Sequence, residues 1–174
     1  MNVIREGLKD KGMVFNRLVS YGEETSYGVA PSDVARWIGG VTSFNGGVET
    51  ALEEAVTLSG GRLRGYVLHG LDVRPSLEYY IQTGQFLKYA LGSVSDSGTG
   101  PPYIHTIEIS SGYDLPSISL LEHRIGNPSH GYLYTGAKVE SLEVSWEEDS
   151  LLKASVELLA SNVDKVNTLP AVTP

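Results

Sequence analysis

Four histidines, His69, His105, His123 and His130, are the side chains best suited to acid–base work or metal ligation, and their spacing provides neither an HExxH pair nor a carboxylate–histidine cluster. The nearest pair is His105 with Glu108. Residues three apart on a strand point to opposite faces, so these two cannot share an ion, and His105 reads as a strand histidine hydrogen-bonded to its neighbours. Ser110, Ser111 and Ser117 lie in no GxSxG elbow and have no partnered base, and the absence of cysteine removes thiolate nucleophiles and thiolate metal sites. The glycines at 39–40, 60–61 and 98–100 lack the Lys-Ser/Thr of a phosphate loop and the spacing of a dinucleotide fingerprint, and read as turns. The acid pairs Glu23-Glu24, Glu53-Glu54 and Glu147-Glu148 could offer paired carboxylates, but adjacent acids in turn segments read as solvated. The expectation is a protein that is not an enzyme, with no catalytic, cofactor-binding or metal residues and no cofactors.

Charge and composition narrow the remaining classes. The 174 residues carry 13 Lys and Arg against 21 Asp and Glu, a formal net charge of −8, and the basic residues are scattered. Clustered cations make phosphate contacts, so tight nucleic-acid binding is disfavoured. A hydrophobic fraction of 41% with 20% charged residues suits one folded domain able to form a core without disulfides. No apolar run approaches the roughly 18–20 residues of a membrane span, and Met1 to Gly12 alternates charges with single apolar residues in place of a signal-peptide core. The expectation is a soluble protein without membrane contact.

Twenty glycines, many beside Ser, Asp or Asn, cut the sequence into short segments and predict a mainly β protein. Residues 1–12 read as an arm or short helix ended by Gly12. Val34 to Phe44, with Trp37, Ile38, Val41 and Phe44, reads as a strand. Residues 48–58 fit both a helix and a hairpin arm. Tyr66 to His69 and Val73 to Ile81 read as strands paired around Gly70. Thr83 as N-cap, the stripe Phe86, Leu87, Ala90 and Leu91, and Gly92 as left-handed C-cap predict the best helix in the chain. Ser93 to Pro102 reads as an exposed loop. Strands follow at 103–109, 118–125 and 132–134. In 138–146, Leu142, Val144 and Trp146 alternate with Ser141, Glu143 and Ser145, which places Trp146 on the core face. Leu152, Ala154, Val156, Leu158 and Ala160 repeat the alternation. A helix over 151–160 is the competitor, and alternation favours a hairpin of 138–146 with 151–160. Residues from Asn162 on read as a loose tail.

Three groups of stretches, in fixed order, carry a resemblance. They are Tyr21-Gly-Glu-Glu-Thr-Ser-Tyr-Gly-Val-Ala-Pro31 with Trp37-Ile-Gly-Gly-Val-Thr-Ser-Phe44; Leu77-Glu-Tyr-Tyr80 with Phe86-Leu-Lys-Tyr-Ala-Leu-Gly-Ser-Val94; and Pro102-Tyr-Ile-His-Thr-Ile107, Leu115-Pro-Ser-Ile-Ser119, Gly136-Ala-Lys-Val-Glu-Ser-Leu142 and Ala154-Ser-Val-Glu-Leu158. Together they resemble the tail tube proteins of tailed bacterial and archaeal viruses over most of residues 21–160. The resemblance implies a β-sandwich or small barrel with one flanking short helix, an N-terminal arm and a long inter-ring loop. It also implies rings of six tube domains that stack into a hollow channel for DNA. The implied organisation is an arm at 1–20, a tube domain at 21–161 and a tail, or a linker to a further domain, at 162–174. Hexamers of single domains and trimers of double domains both remain open.

Within that frame the candidate channel-lining acids are Glu78, Glu140 and Glu143, and the candidate inter-ring loop holds Asn45, Gly46, Gly47, Gly60 and Gly61. Acidic walls repel phosphate, so the charge would let DNA pass without being held. Implied partners are further copies of the chain, a tape-measure protein, tail-tip and neck proteins, a sheath in contractile tails, and DNA in transient contact. The implied location is the virion tail, assembled in the host cytoplasm. The inner tube of a phage-derived injection apparatus is one alternative. Another is a small carbohydrate-binding β-sandwich using Trp37, Trp146 and Tyr79-Tyr80 as stacking faces, which the core placement of Trp146 disfavours.

Overall fold

The computed structural model describes residues 17–56, 63–82, 84–98, 103–112, 114–126 and 128–172. The described residues form twelve strands: β1 (Arg17–Glu23), β2 (Arg36–Trp37), β3 (Gly40–Asn45), β4 (Val48–Val56), β5 (Leu63–Val73), β6 (Ser76–Tyr80), β7 (Gly92–Ser97), β8 (Ile104–Ile109), β9 (Ile118–Arg124), β10 (His130–Ser145), β11 (Lys153–Leu159) and β12 (Asn162–Val166). A 3-10 turn (Gly84–Phe86) leads into the helix α1 (Leu87–Leu91) between β6 and β7.

β10 is the hinge of the architecture. Its first half pairs with β9 on one side and β12 on the other, and its second half pairs with β11. Gly136, at φ +65°, marks the change, a backbone that a residue with a Cβ adopts only under strain. Two sheets result. Sheet I runs β2-β1-β9-β10-β12 and sheet II runs β10-β11-β6-β3, joined through the bent strand and not closed into a barrel. Two ribbons stand apart as their own pairs, β4 with β5 and β7 with β8.

The core fills the space between the sheets. Val19, Tyr21, Ile118, Leu120 and Tyr134 from sheet I meet Leu77, Tyr79, Ala154, Val156 and Leu158 from sheet II. Helix α1 and the turn before it close one end, with Tyr21 meeting Phe86 and Tyr89, and Phe86 meeting Tyr79 and Tyr89, edge to face at centroid distances of 5.3 to 5.8 Å. Each such pair contributes about 0.5–1.5 kcal/mol beyond the area it buries. Burial pushes the Tyr79 hydroxyl up to about 12, and the neighbouring Tyr21 adds to the effect.

Several expectations hold. The chain is mainly β, 138–146 and 151–160 form an antiparallel hairpin of strands, and Gly92 caps α1 at φ 95° with its N–H donated to the Lys88 carbonyl. The open choice at 48–58 resolves to a strand, β4, through Val56. Thr83 lies outside the described residues, and Phe86 precedes α1 without a side-chain cap.

Other expectations are corrected. Residues 17–20, placed in the arm, form the first half of β1, because Val19 and Ser20 are buried against β9 and the segment behind it. The strand at 66–69 does not pair with 73–81: 63–73 is one strand laid on β4, and β6 lies between β11 and β3. Residues 93–97 are not loop but β7, since Ser and Asp on an exposed ribbon need backbone pairing, not burial. The tail is not loose at its start, where β12 pairs with β10 and Leu169 lies over Gly131. Trp146 is 70% exposed: its parity matches Leu142 and Val144, but β10 runs past the end of the core.

Candidate functional site

The register of sheet II sorts its residues into two faces with no mixing. Glu143, Ser155, Glu78 and Ser43 stand opposite one another across β10, β11, β6 and β3, and the next row is Ser141, Glu157, Ser76 and Asn45. Ser145, Lys153, Tyr80 and Gly40 make a third row on the same side. Residues directly opposite share a face, so this side is almost wholly polar. The intervening rows are Leu142, Val156, Leu77 and Phe44, then Val144, Ala154, Tyr79 and Val41, and they face the core.

The polar face is acidic. It carries the carboxylates Glu78, Glu143 and Glu157 and the single ammonium of Lys153, which pairs with Glu78 at 2.7 Å. Ser141 donates to Glu157 at 3.1 Å. Two of the three expected acids, Glu78 and Glu143, therefore stand together here. Glu140 does not join them, because it occupies the bulge between Val139 and Ser141 and is gripped by Arg74 at 2.7 Å. Glu157 was absent from the sequence expectation. Its signal was present in the alternation of Ser155 and Glu157 with Ala154, Val156 and Leu158.

Sheet II also has two open sides. β3 pairs only with β6, and the second half of β10 pairs only with β11, so among the described residues neither outer edge has a partner. Exposed edges are rows of unpaired N–H and C=O groups that invite another strand.

The expected loop residues divide. Gly60 and Gly61 lie outside the described residues. Asn45, Gly46 and Gly47 form the tight connection where the chain leaves sheet II for the β4–β5 ribbon. The Gly47 N–H reaches the Asn45 side chain at 3.3 Å, and the Gly47 carbonyl accepts from Arg74 N at 2.8 Å. Gly47 sits at φ +52°, and any Cβ there would collide with the Arg74 carbonyl. What was expected as a long loop is thus a ribbon of two paired strands as far as described.

Sheet I and the residues flanking it hold buried polar groups, among them Glu24, which the sequence alone marks as a solvated acid. Glu24 is 8% exposed and accepts from Gly136 N at 2.8 Å, Ser119 Oγ at 2.7 Å and Gly28 N at 2.8 Å. Burial alone would raise its pKa, but these bonds together outweigh burial and hold the carboxyl below its ordinary value. Ser20 donates to the Val34 carbonyl and meets His123 Nε2 at 2.8 Å, so Nε2 carries the proton of that pair. Burial lowers the His123 pKa. Glu122, also buried, is held by Arg124 at 3.1 Å and Arg17 at 3.4 Å. His105 Nδ1 meets Asp96 at 2.7 Å across the β7–β8 ribbon, as a strand histidine bonded to a neighbour. These contacts tie segments together; Glu122 with Arg17 borders a cleft beside β3, and His105 with Asp96 borders a second one against Tyr21 and Tyr89. Tyr79 and Tyr80 point to opposite faces and Tyr79 is buried, so the aromatic stacking platform of a carbohydrate module does not form.

An acidic sheet face lies between two edges that have no partner among the described residues, on a body anchored by buried polar bonds. The model of the phage tail tube protein family matches residues 15–174, and the chain belongs to that family. It is a structural subunit of a tail tube. The fold is similar to the SPP1 tail tube (TM-score 0.55, 13% identity, covering 91% of this chain and 80% of that one). It is also similar to a chain of the sheath–tube complex of the extracellular contractile injection system PVC (TM-score 0.53, 13% identity, 97% and 99% covered). A third likeness is to the tail of a gene transfer agent particle refined with C6 symmetry (TM-score 0.51, 11% identity, 89% and 97% covered). No curated protein sequence matches the chain.

Proposed function

We propose that copies of this chain close into rings by joining the open edge of β10 in one copy to the open edge of β3 in the next, with the acidic face of sheet II turned to the channel. The observation that carries this reading is that both unpaired edges belong to the same four-stranded sheet. Its neighbouring strands alternate in direction, so a fifth strand placed against β3 continues the antiparallel order when it is another copy's β10. Closure then removes every edge from the inner wall. Rings of six follow the symmetry of the gene transfer agent tail.

Glu78, Glu143 and Glu157, with Lys153 among them, would face passing DNA and repel its phosphates. The β4–β5 ribbon, based at Asn45–Gly47, and the residues before β1 would reach the adjoining ring. Tape-measure, tail-tip and neck proteins are the remaining partners, with a sheath if the tail contracts, in a virion tail assembled in the host cytoplasm.

A cysteine-free chain makes the ring directly testable. In the double substitution Ser43→Cys with Glu143→Cys, a short bis-maleimide should join neighbours into a ladder that ends at the ring number, while each single variant stops at dimer or below. Electron microscopy of the same sample should show hollow tubes or lobed rings. A purified chain that stays monomeric at high concentration, with no ladder, overturns the reading.

A further inference from the structure

The polar face of sheet II changes character at its Tyr80 end. Two of its rows hold only Ser, Glu and Asn, whereas the row of Ser145, Lys153 and Tyr80 opens into a cleft of about 480 Å³ shared with Trp146, Glu147 and Leu151. Trp146 is 70% exposed, Leu151 68% and Tyr80 37%. Large apolar side chains left to water side by side mark an interaction site. The wall of the cleft is set within the single chain. Ser150 N–H donates to the Glu147 carbonyl at 3.1 Å, Ser150 Oγ accepts from Glu147 N at 3.1 Å, and Asp149, a residue type that tolerates the left-handed region, completes the turn at φ 64°. Beyond the turn, Ile81 N donates to the Leu152 carbonyl at 2.9 Å and ties the chain to the end of β6. Charge around the rings is negative: Glu147, Glu148 and Asp149 stand exposed on the rim, and Lys153 is taken by Glu78 at 2.7 Å.

We propose that this cleft binds a basic segment of another protein, an Arg or Lys side chain lying against Trp146 and Tyr80 and an adjoining apolar side chain on Leu151. Charge complementarity selects the occupant. Aromatic faces attract a cation through the ring quadrupole, and carboxylates beside them add to the attraction. An anionic partner is repelled by the same carboxylates, and a neutral sugar would use the rings while leaving the rim acids without a counter-charge. The cleft is complete in one copy, so binding needs no ring. Where rings close as proposed above, the clefts stand on the channel side at one level of each ring, and a wall that repels DNA there holds a protein.

The probe is a capped peptide of alternating Arg and Leu, titrated into the full chain by calorimetry and followed by Trp146 emission in a Trp37→Phe background. Emission should move to shorter wavelength on binding. Trp146→Ala should weaken binding about tenfold with the urea midpoint in place, since the indole is exposed, and Trp146→Phe should keep part of the affinity. Glu147→Gln with Glu148→Gln should weaken it several-fold. A peptide with Glu in place of Arg, maltohexaose and a single-stranded oligonucleotide should not bind. Peptide binding that Trp146→Ala leaves intact overturns the cleft as the site, and maltohexaose binding in place of the peptide overturns the cation as its ligand. The chain's own residues 1–12 carry Arg5, Lys9 and Lys11 beside Val3, Ile4 and Leu8. If Arg5→Glu with Lys9→Glu tightens peptide binding, that segment fills the cleft and the assignment to another protein falls. Ring closure is read separately, by the cross-linked ladder, and stands or falls apart from these results.

Discussion

Sheet I and sheet II share β10, yet they treat their two faces in opposite ways. From Ile118 to His123, β9 is buried at every position, and β1 is buried from Val19 to Gly22. One side of sheet I meets the core. The other is covered by the 24–36 segment, where Gly22 lies against Asp33 and Pro31, and by the chain after β12, where Leu169 lies over Gly131. Sheet II keeps one face for the core and leaves the other to solvent with its Ser, Glu and Lys rows. The difference teaches where assembly can occur. A strand buried on both faces must satisfy its polar groups internally, as Glu24, Glu122 and His123 do, whereas a half-buried sheet can spend its outer face and its edges on other molecules.

Adjacent-residue substitutions offer the largest test of that contrast. Leu120→Ala and Leu121→Ala point to opposite sides of sheet I and should each cost about 3 kcal/mol in urea unfolding. In sheet II, Leu158→Ala should cost a similar amount, while Glu157→Ala beside it leaves the midpoint unmoved. A Leu121→Ala variant as stable as wild type would erase the distinction.

Next in size is Glu24→Gln, which keeps the shape but loses the charge that gathers the Gly136, Ser119 and Gly28 donors, at about 2 kcal/mol. The pH dependence has a matching sign. His123 and Glu24 both have lowered folded pKa values, so the unfolded chain takes up protons first and each contributes stability that is lost in acid. The His123 contribution is present above its ordinary value of 6.5 and should begin to fade below it. The Glu24 contribution should begin to fade below 4.5 and be lost as pH falls through its depressed folded value. Denaturation midpoints against pH should show two separate losses, the lower flattened in Glu24→Gln and the upper in His123→Gln.

The smallest effect on folding should come from Glu143→Lys with Glu157→Lys on the polar face, which changes the function instead. Purified tubes of this variant should retain nucleic acid that salt removes, measured by absorbance ratio after nuclease-free purification. Variant tubes as free of nucleic acid as wild type would argue that this face is not the channel wall.

Strict alternation made part of this legible. It set Leu142 and Val144 against Ser141 and Glu143, and Ala154, Val156 and Leu158 against Ser155 and Glu157, and so displayed the hairpin and its faces in the sequence. The same alternation misplaced Trp146, because a period of two reports which side a residue is on but not how far the opposing layer extends. β9 was legible as a strand, but its buried polar groups were not, since nothing local shows that Glu24 meets Ser119 and Gly136.

By itself, then, the sequence determined what is local: the β character, the acidic charge, the absence of thiol chemistry, the Gly92 cap and the polarity of the two faces of the β10–β11 hairpin. These depend on side-chain identity and a short repeat, which the chain carries wherever it folds. Only the tertiary structure decided which strands neighbour one another, that Glu78, Glu143 and Glu157 share a face, that Glu140 leaves it at a bulge, and that β3 and the second half of β10 form the two outer edges of one sheet, without partners among the described residues. Those outcomes rest on contacts between residues far apart in the chain, such as Glu78 with Lys153 and Arg74 with Glu140, and strand order is set by how the whole core closes.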